Sequence, residues 1–147
     1  MSILGARDEA ELRLEHSKEV LLGFARKNLP PIRGQVDLVE HEKEIVPGIR
    51  AIAAPGHTPG HMALSISSEG EKLLCVSDAF LHPIHVEQPE WIAVVDFDPV
   101  QVADTRSRLL GMAAREKALV FAFHFAFPGL GFVAWSEEGW RWQPRAL

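Results

Sequence analysis

The sequence predicts a mixed α/β domain, and three features of its 147 residues support that fold class. A helix-forming segment opens the chain, strand-like segments separated by turn residues occupy the middle, and a second helical segment precedes the last strands. Apolar residues make up 47% of the chain and charged residues 24%, which is ordinary for a globular protein. A chain of this length can bury a substantial core, so we expect residues 1–147 to form a single domain.

The first element is a helix over residues 6–27, a segment rich in Ala, Leu, Glu, Arg and Lys and free of proline. Pro30 and Pro31 follow Asn28 and Leu29. Proline lacks a backbone N–H and restricts the residue before it, so we expect the helix to end at residues 28–31. Residues 32–44 are compatible with a short helix or with a loop.

The middle of the chain predicts a run of strands. Residues 49–53 favour a strand, and the Pro- and Gly-rich residues 55–61 form a loop after it. Residues 62–66 alternate apolar and polar side chains, as a half-buried strand does. Residues 68–71 form a hairpin turn, and residues 72–76 return as the next strand.

A second helix is predicted from Asp98 and Pro99 to about residue 115, because an aspartate N-cap followed by proline is a typical helix start. The apolar side chains that we expect to face inward are Val102, Leu109, Leu110 and Ala113. Residues 118–123 are apolar throughout, which predicts a buried strand that ends beside His124. Residues 132–135 and 140–142 predict a final hairpin.

Bulk properties exclude some classes of protein. The net charge of −5 argues against nucleic-acid binding, which usually requires a basic face. No segment approaches the roughly 20 apolar residues of a membrane span. Cys75 is the single cysteine and cannot form an internal disulfide, so we expect a reducing, cytoplasmic location.

Three side chains with the chemistry of metal ligands follow predicted strands. His57 lies in the loop after the strand at 49–53, Asp78 follows the strand at 72–76, and His124 follows the strand at 118–123. Imidazole and carboxylate groups are ligands that zinc accepts. Each residue alone also has a structural explanation, as a turn residue, a cap or a packed ring. Together they form a plausible constellation at one edge of a sheet.

Three stretches of sequence resemble the metallo-β-lactamase superfamily in order and spacing. APGHTPGHMAL is similar to the PGHTPGH loop of that family, CVSDAF resembles its strand-end aspartate motif, and FHFAFPGLGFV resembles its last histidine motif. The stretch VDFDP followed by TRSRLL also resembles a subgroup near the methyl-parathion-hydrolase and lactonase-like members. The resemblance extends over nearly the whole chain.

The resemblance implies roles for individual residues. His57 matches a ligand of the first metal, His124 matches a ligand of the second, and Asp78 matches the carboxylate that bridges both metals and takes part in catalysis. His61 matches a position that supports the loop. The implied cofactor is zinc or another divalent transition metal. His82 and His85 follow Asp78, and we expect them at the wall of a substrate pocket or at the surface.

One family motif, His-x-His-x-Asp-His, is absent from this sequence. Upstream of His57 the only histidines are His16 and His41, and neither has the paired spacing. The chain therefore resembles the C-terminal half of the family's αββα sandwich, without the half that carries this motif. Each metal would have about two protein donors, whereas catalytic zinc sites keep three, so we expect partial or absent metal occupancy.

The resemblance leaves alternatives open for function. The first is a metal-dependent hydrolase of a small-molecule substrate, present as a truncated chain that is weak or inactive by itself. The second is a non-enzymatic dimeric half-domain, a binding or scaffold protein that keeps a remnant metal site. In a third, two chains pool their ligands. Half of the sandwich would expose an apolar sheet face, so we expect a homodimer through that face.

Overall fold

The computed structural model describes residues 19–40 and 42–146, and these residues divide between two compact units, Met1–Leu38 and Val39–Leu147. The predicted helix residues 6–18, with His16, and also His41 lie outside the described residues. No helix in the described ranges is long and apolar enough to cross a membrane.

The first unit contains helix α1, which is helical from residue 19 to residue 32 and continues into a 3₁₀ turn at Arg33–Gln35. The expected end of this helix at residues 28–31 is therefore wrong by a few residues. Pro30 and Pro31 deprive the carbonyls of Arg26 and Lys27 of their helical donors, but both residues are exposed, so water can bind there. The Asn28 side-chain amide donates to the Phe24 carbonyl at 2.8 Å, which satisfies another carbonyl in this last stretch.

The second unit contains a seven-stranded sheet in the order β1-β2-β3-β4-β5-β6-β7. Its strands are β1 Glu44–Val46, β2 Ile49–Ala53, β3 Met62–Ser68, β4 Glu71–Cys75, β5 Leu119–Phe121, β6 Leu130–Ser136 and β7 Gly139–Pro144. A 3₁₀ turn at Ser77–Ala79, helix α2 at Ile84–Glu87 and helix α3 at Pro99–Glu116 connect β4 to β5. The predicted mixed α/β class is confirmed.

Neighbouring strands are antiparallel except β4 and β5, which are parallel. The parallel pair requires a crossover, and the segment with α2 and α3 supplies it. The Asp98 side chain accepts a hydrogen bond from the Gln101 N–H at 3.0 Å, which caps α3 where the sequence predicts a helix start.

The core lies between α3 and one face of the sheet. The helix contributes Leu109, Leu110 and Ala113, and the sheet contributes side chains such as Leu74 and Val120. Because side chains alternate between the two faces of a strand, the neighbours of these sheet residues point the other way. That opposite face is also apolar, and its half-buried or exposed members include Leu64, Ile66, Leu73, Phe121 and Phe132.

Candidate functional site

Three strands that run in the same direction bring His57, Asp78 and His124 to one edge of the sheet. Strand β4 is parallel to β5, and β2 is separated from β4 by the antiparallel β3, so all three strands point the same way. Each candidate ligand follows the carboxyl end of one of them. Ligand sites in open α/β sheets are usually built at this position.

The loop that carries His57 is fixed against the first turns of α3. Gly56 has a φ of +127°, and a Cβ placed on it would lie 2.3 Å from the Val102 nitrogen. Only glycine allows this close approach without strain. The Thr105 hydroxyl donates to the Pro55 carbonyl at 2.7 Å, and the Asp98 N–H donates to the Gly56 carbonyl at 2.8 Å. The loop is therefore held in place by its contacts with α3, and the glycine at position 56 makes this close approach possible.

The His57 ring is oriented by a buried carboxylate. Its Nδ1 lies 3.1 Å from Asp96 Oδ1, and the Asp96 side chain is fully buried. A carboxylate accepts, so this contact assigns the proton to Nδ1 and leaves Nε2 as the nitrogen with a free lone pair. The other Asp96 oxygen accepts from the Ala93 N–H at 2.8 Å.

Arg106 pairs with the same carboxylate from α3. Its Nη2 donates to Asp96 Oδ2 at 3.1 Å, and its side chain is fully buried. Its Nε donates to the Ala79 carbonyl at 2.6 Å, and Nη1 donates to the Trp91 carbonyl. Burial lowers the pKa of Arg106 from its ordinary value, and the negative charge of Asp96 opposes that shift. One guanidinium thus joins α3 to the segments that carry Asp96 and Asp78.

The second histidine of the loop, His61, uses both ring nitrogens on the backbone. Its Nδ1 donates to the Ala54 carbonyl at 2.8 Å, and its Nε2 accepts from the Asp78 N–H at 3.0 Å. The rings of His57 and His61 meet edge to face, with centroids 5.8 Å apart. With no free lone pair left on its ring, His61 is placed to tie the loop to the turn after β4.

Asp78 and His124 contact each other directly. The His124 Nε2 donates to Asp78 Oδ1 at 2.7 Å, and the two side chains are 39% and 37% exposed. The second Asp78 oxygen lies 4.0 Å from His61 Nε2, which places the pair beside the loop histidines. The structure therefore brings His57, His61, Asp78 and His124 into one neighbourhood.

His82 and His85 lie in different surroundings. His82 is exposed and its Nδ1 accepts from the Ile84 N–H at 3.1 Å. His85 is buried in α2 and its Nδ1 accepts from the Leu81 N–H. Burial, together with the positive charge of Arg106, lowers the pKa of His85 to about 4. Their expected place at a pocket wall stays a prediction.

The donor set fits a divalent metal in kind but not in number. Imidazole and carboxylate are suitable ligands, yet within residues 19–40 and 42–146 no three His, Cys, Asp or Glu side chains converge in a group that could hold a metal ion. His124 Nε2 and Asp78 Oδ1 are also occupied by each other. The described residues therefore do not fit a bound metal without donors from elsewhere.

Asp96 and Arg106 were not predicted as site residues, although both lie in the family-like stretches VDFDP and TRSRLL and α3 carried a signal for one of them. The predicted apolar stripe of that helix runs through Val102 and Leu109, and Arg106 falls between them at helical spacing. An arginine within an apolar stripe indicates a buried charge that needs a partner. Asp96 precedes the helix in an irregular segment, so no periodicity could have marked it.

The protein-family comparison defines the class of this chain. A family model described as the metallo-beta-lactamase superfamily matches residues 4–124. That span is more than half of the chain and contains the histidine loop, the strand-end aspartate and His124. The chain therefore belongs to the metallo-beta-lactamase superfamily, and the predicted resemblance to that family is confirmed.

The curated relatives include N-acyl homoserine lactonases of Bacillus. The chain is 30% identical to the lactonase of Bacillus cereus over 118 residues, which cover 80% of this chain and 43% of that protein. It is 29% identical to the lactonase AiiA of Bacillus thuringiensis subsp. kurstaki over 89 residues, which cover 59% of this chain and 34% of that protein. The chain thus matches less than half the length of these relatives.

Two solved structures are similar in fold. One is AidC, a dizinc quorum-quenching lactonase in complex with a product, with a TM-score of 0.75 and 32% identity over 81% of this chain and 41% of AidC. The other is the hydrolase AbOPH of the beta lactamase superfamily, with a TM-score of 0.78 and 23% identity over 90% of this chain and 48% of that chain. At that identity the second likeness concerns the fold alone.

Proposed function

We propose that this chain carries one part of the active centre of a metal-dependent hydrolase that opens lactone rings. The observation that carries this proposal is the position of His57, Asp78 and His124 at one edge of the sheet, after the carboxyl ends of three strands that run in the same direction. The named lactonases among its relatives support a lactone substrate of the N-acyl homoserine class. In such a reaction water adds across the ring ester bond and yields a hydroxy acid.

Within this proposal, His57 would hold a metal through Nε2, and Asp78 and His124 would supply the other donors that this chain contributes. His61 is assigned to hold the turn of Asp78, because both its nitrogens already have backbone partners. The metal is zinc or a related divalent ion, as in the dizinc lactonase to which the chain is similar. The described residues supply too few convergent donors for a catalytic site, so activity requires donors from another segment or another chain.

A complementation assay tests this proposal. The chain alone, supplied with zinc, should open an N-acyl homoserine lactone no faster than the buffer does. Co-expression with a family segment that bears the His-x-His-x-Asp-His motif should raise the rate. The variant Asp78→Asn should abolish that gain, and Asp104→Asn, the same change at an exposed position of α3, should leave it unchanged.

Two results of this assay would contradict the proposal. A complemented Asp78→Asn variant as active as the complemented wild type would remove Asp78 from the site. Rapid hydrolysis by the monomeric chain alone would contradict the need for further donors.

We also propose a homodimer that covers the apolar sheet face, formed in the cytoplasm, where the single Cys75 stays reduced. Phe132 on this face is 37% exposed, and the apolar face of which it is part favours burial against a second sheet. Light scattering should give a dimer for the wild type and a monomer for Phe132→Glu. Trp135→Glu, on the opposite side of the same strand, is the control and should remain dimeric.

The zinc content of this dimer distinguishes the hydrolase from the second candidate function, a binding protein without catalysis. If two chains pool their donors, zinc should bind with one ion per two chains, and Phe132→Glu should abolish binding. A dimer without any zinc would favour the non-enzymatic alternative over the hydrolase.

A further inference from the structure

The buried carboxylate of Asp96 and the guanidinium of Arg106 lie behind His57, and the sequence resemblance assigned neither residue a role. Asp96 and Arg106 have fully buried side chains, and they join at 3.1 Å. Removing two charges from water is costly unless each finds charged and hydrogen-bonding partners. Every polar atom of this pair is directed at a specific acceptor or donor, and one of those partners is His57.

The two oxygens of Asp96 have separate roles. Oδ2 accepts from Arg106 and from the Ala93 N–H, which fixes the carboxylate in position. Oδ1 is then left for the His57 Nδ1 at 3.1 Å. A carboxylate held by two donors on one oxygen cannot rotate freely, so the direction of the bond to His57 is fixed as well.

Arg106 connects the two halves of the site. Its Nη2 acts on His57 through Asp96, and its Nε donates to the carbonyl of Ala79, the residue after Asp78. The side chain also reaches the Trp91 carbonyl in the segment before Asp96. Helix α3 therefore holds both the loop of His57 and the turn of Asp78 through one side chain.

We infer that Asp96 and Arg106 are positioning residues that hold the His57 ring with a proton on Nδ1, so that Nε2 is the ring nitrogen left for a ligand. Hydrogen bonds from a carboxylate to the far nitrogen of an imidazole are a general means of fixing tautomer and ring orientation. The hydrogen bonds that support this inference all lie within this chain. Only the use of Nε2 as a metal donor rests on the proposed function.

Nitrogen-15 NMR of the metal-free chain tests the inference directly. In mildly alkaline buffer the wild type should have His57 protonated on Nδ1. In Asp96→Asn this preference should be lost, because an amide can donate to Nδ1 as well as accept from it. His61 is the reference in the same spectra, because its Nδ1 proton is held by Ala54 and should not change.

Asp98→Asn is the matched control substitution. It is the same chemical change two residues away, and the Asp98 side chain bonds to the Gln101 N–H rather than to a histidine. His57 should keep its Nδ1 proton in this variant. If Asp96→Asn fails to fold because Arg106 is left unpaired, the double variant Asp96→Asn with Arg106→Met removes both charges together and should lose the tautomer preference too.

The result that would overturn the inference is a wild-type His57 protonated on Nε2, which needs no variant to observe. An unchanged His57 tautomer in a folded Asp96→Asn chain would overturn it equally. Addition of zinc then separates this inference from the proposed function. A His57 ring that has the expected tautomer but whose Nε2 resonance does not respond to zinc would leave the positioning role intact and remove the metal role.

Discussion

The two sides of the candidate site are built in opposite ways. On one side, His57 rests on Asp96 and Arg106, whose side chains are both fully buried. On the other side, Asp78 and His124 are more than a third exposed and bond to each other. One side is anchored in the core through α3, and the other is a contact at the surface of the sheet edge.

The difference shows which side chains are already arranged to bind a ligand and which hydrogen bonds a ligand would have to break. Among residues 19–40 and 42–146 the His57 Nε2 has no hydrogen-bond partner, so no contact between these residues has to break before it can bind a metal. The His124 Nε2 must release the Asp78 carboxylate before either atom can bind something else. We therefore expect substitutions on the buried side to affect folding and substitutions on the exposed side to affect binding.

The largest effect is expected from Arg106→Met, which leaves the Asp96 carboxylate buried without its arginine partner. Breaking a buried pair in this way costs on the order of 3–5 kcal/mol of unfolding free energy. Urea unfolding of the variant measures this loss. Arg115→Met, in the exposed last turn of α3, is the control and should change stability by less than about 0.5 kcal/mol. A cost for Arg106→Met near that of the control would contradict the buried anchor.

The next effect concerns pH and the buried His85 beside this anchor. Its pKa in the folded chain is about 4, whereas an unfolded histidine titrates near 6.5. Arg106 and His82 disfavour its protonated form, and Asp96 favours it. As the pH falls from 6.5 to 4, His85 becomes protonated in the unfolded state while it stays largely neutral in the folded state. The free energy of unfolding therefore declines by about 3 kcal/mol over this range.

This pH dependence is measured by urea unfolding across that range in the wild type and in His85→Gln. The variant should lose much of the decline between pH 6.5 and pH 4. His82→Gln, which removes only the smallest of the charges that lower the pKa of His85, should keep most of the decline. If the free energy of unfolding depended on pH in the same way in the wild type and in His85→Gln, burial would not keep His85 from binding a proton.

The smallest effect is expected from Asp78→Asn on the exposed side. Pairs of exposed charges typically contribute between 0 and about 1 kcal/mol, because solvent screens them. Urea unfolding should therefore place this variant within about 1 kcal/mol of the wild type, even though it removes a central residue of the proposed site. A loss comparable with that of Arg106→Met would erase the contrast between the two sides.

The sequence predicted the elements that position the site better than the contacts within it. The strand at 49–53 and the capped helix at Asp98 are confirmed, because alternation and capping are local signals. Strand β1 was missed, since its three residues Glu44–Val46 are exposed and have no apolar pattern. The pairing of Asp96 with Arg106 joins an irregular segment to a helix, and such a contact has no local signature.

The surroundings of the predicted metal ligands likewise could be predicted in position but not in their contacts. Three residue types after three strands suggested one sheet edge, and the strand directions in the structure do bring them there. The orientation of each ring depends on partners such as Asp96 and Ala54, which the motifs do not reveal. The assignment of His57, Asp78 and His124 as metal ligands stays a prediction.

Zinc binding by the isolated chain tests the central claim most directly, namely that these residues form part of a metal site and not a complete one. Equilibrium dialysis against zinc should give weak binding to the wild type, and this zinc should be lost on gel filtration. The variant with His57→Ala, Asp78→Asn and His124→Ala together should bind none at this site. A wild type that retains one or two zinc ions per chain through gel filtration would contradict the claim of an incomplete site, and equal binding by the triple variant would contradict the site itself.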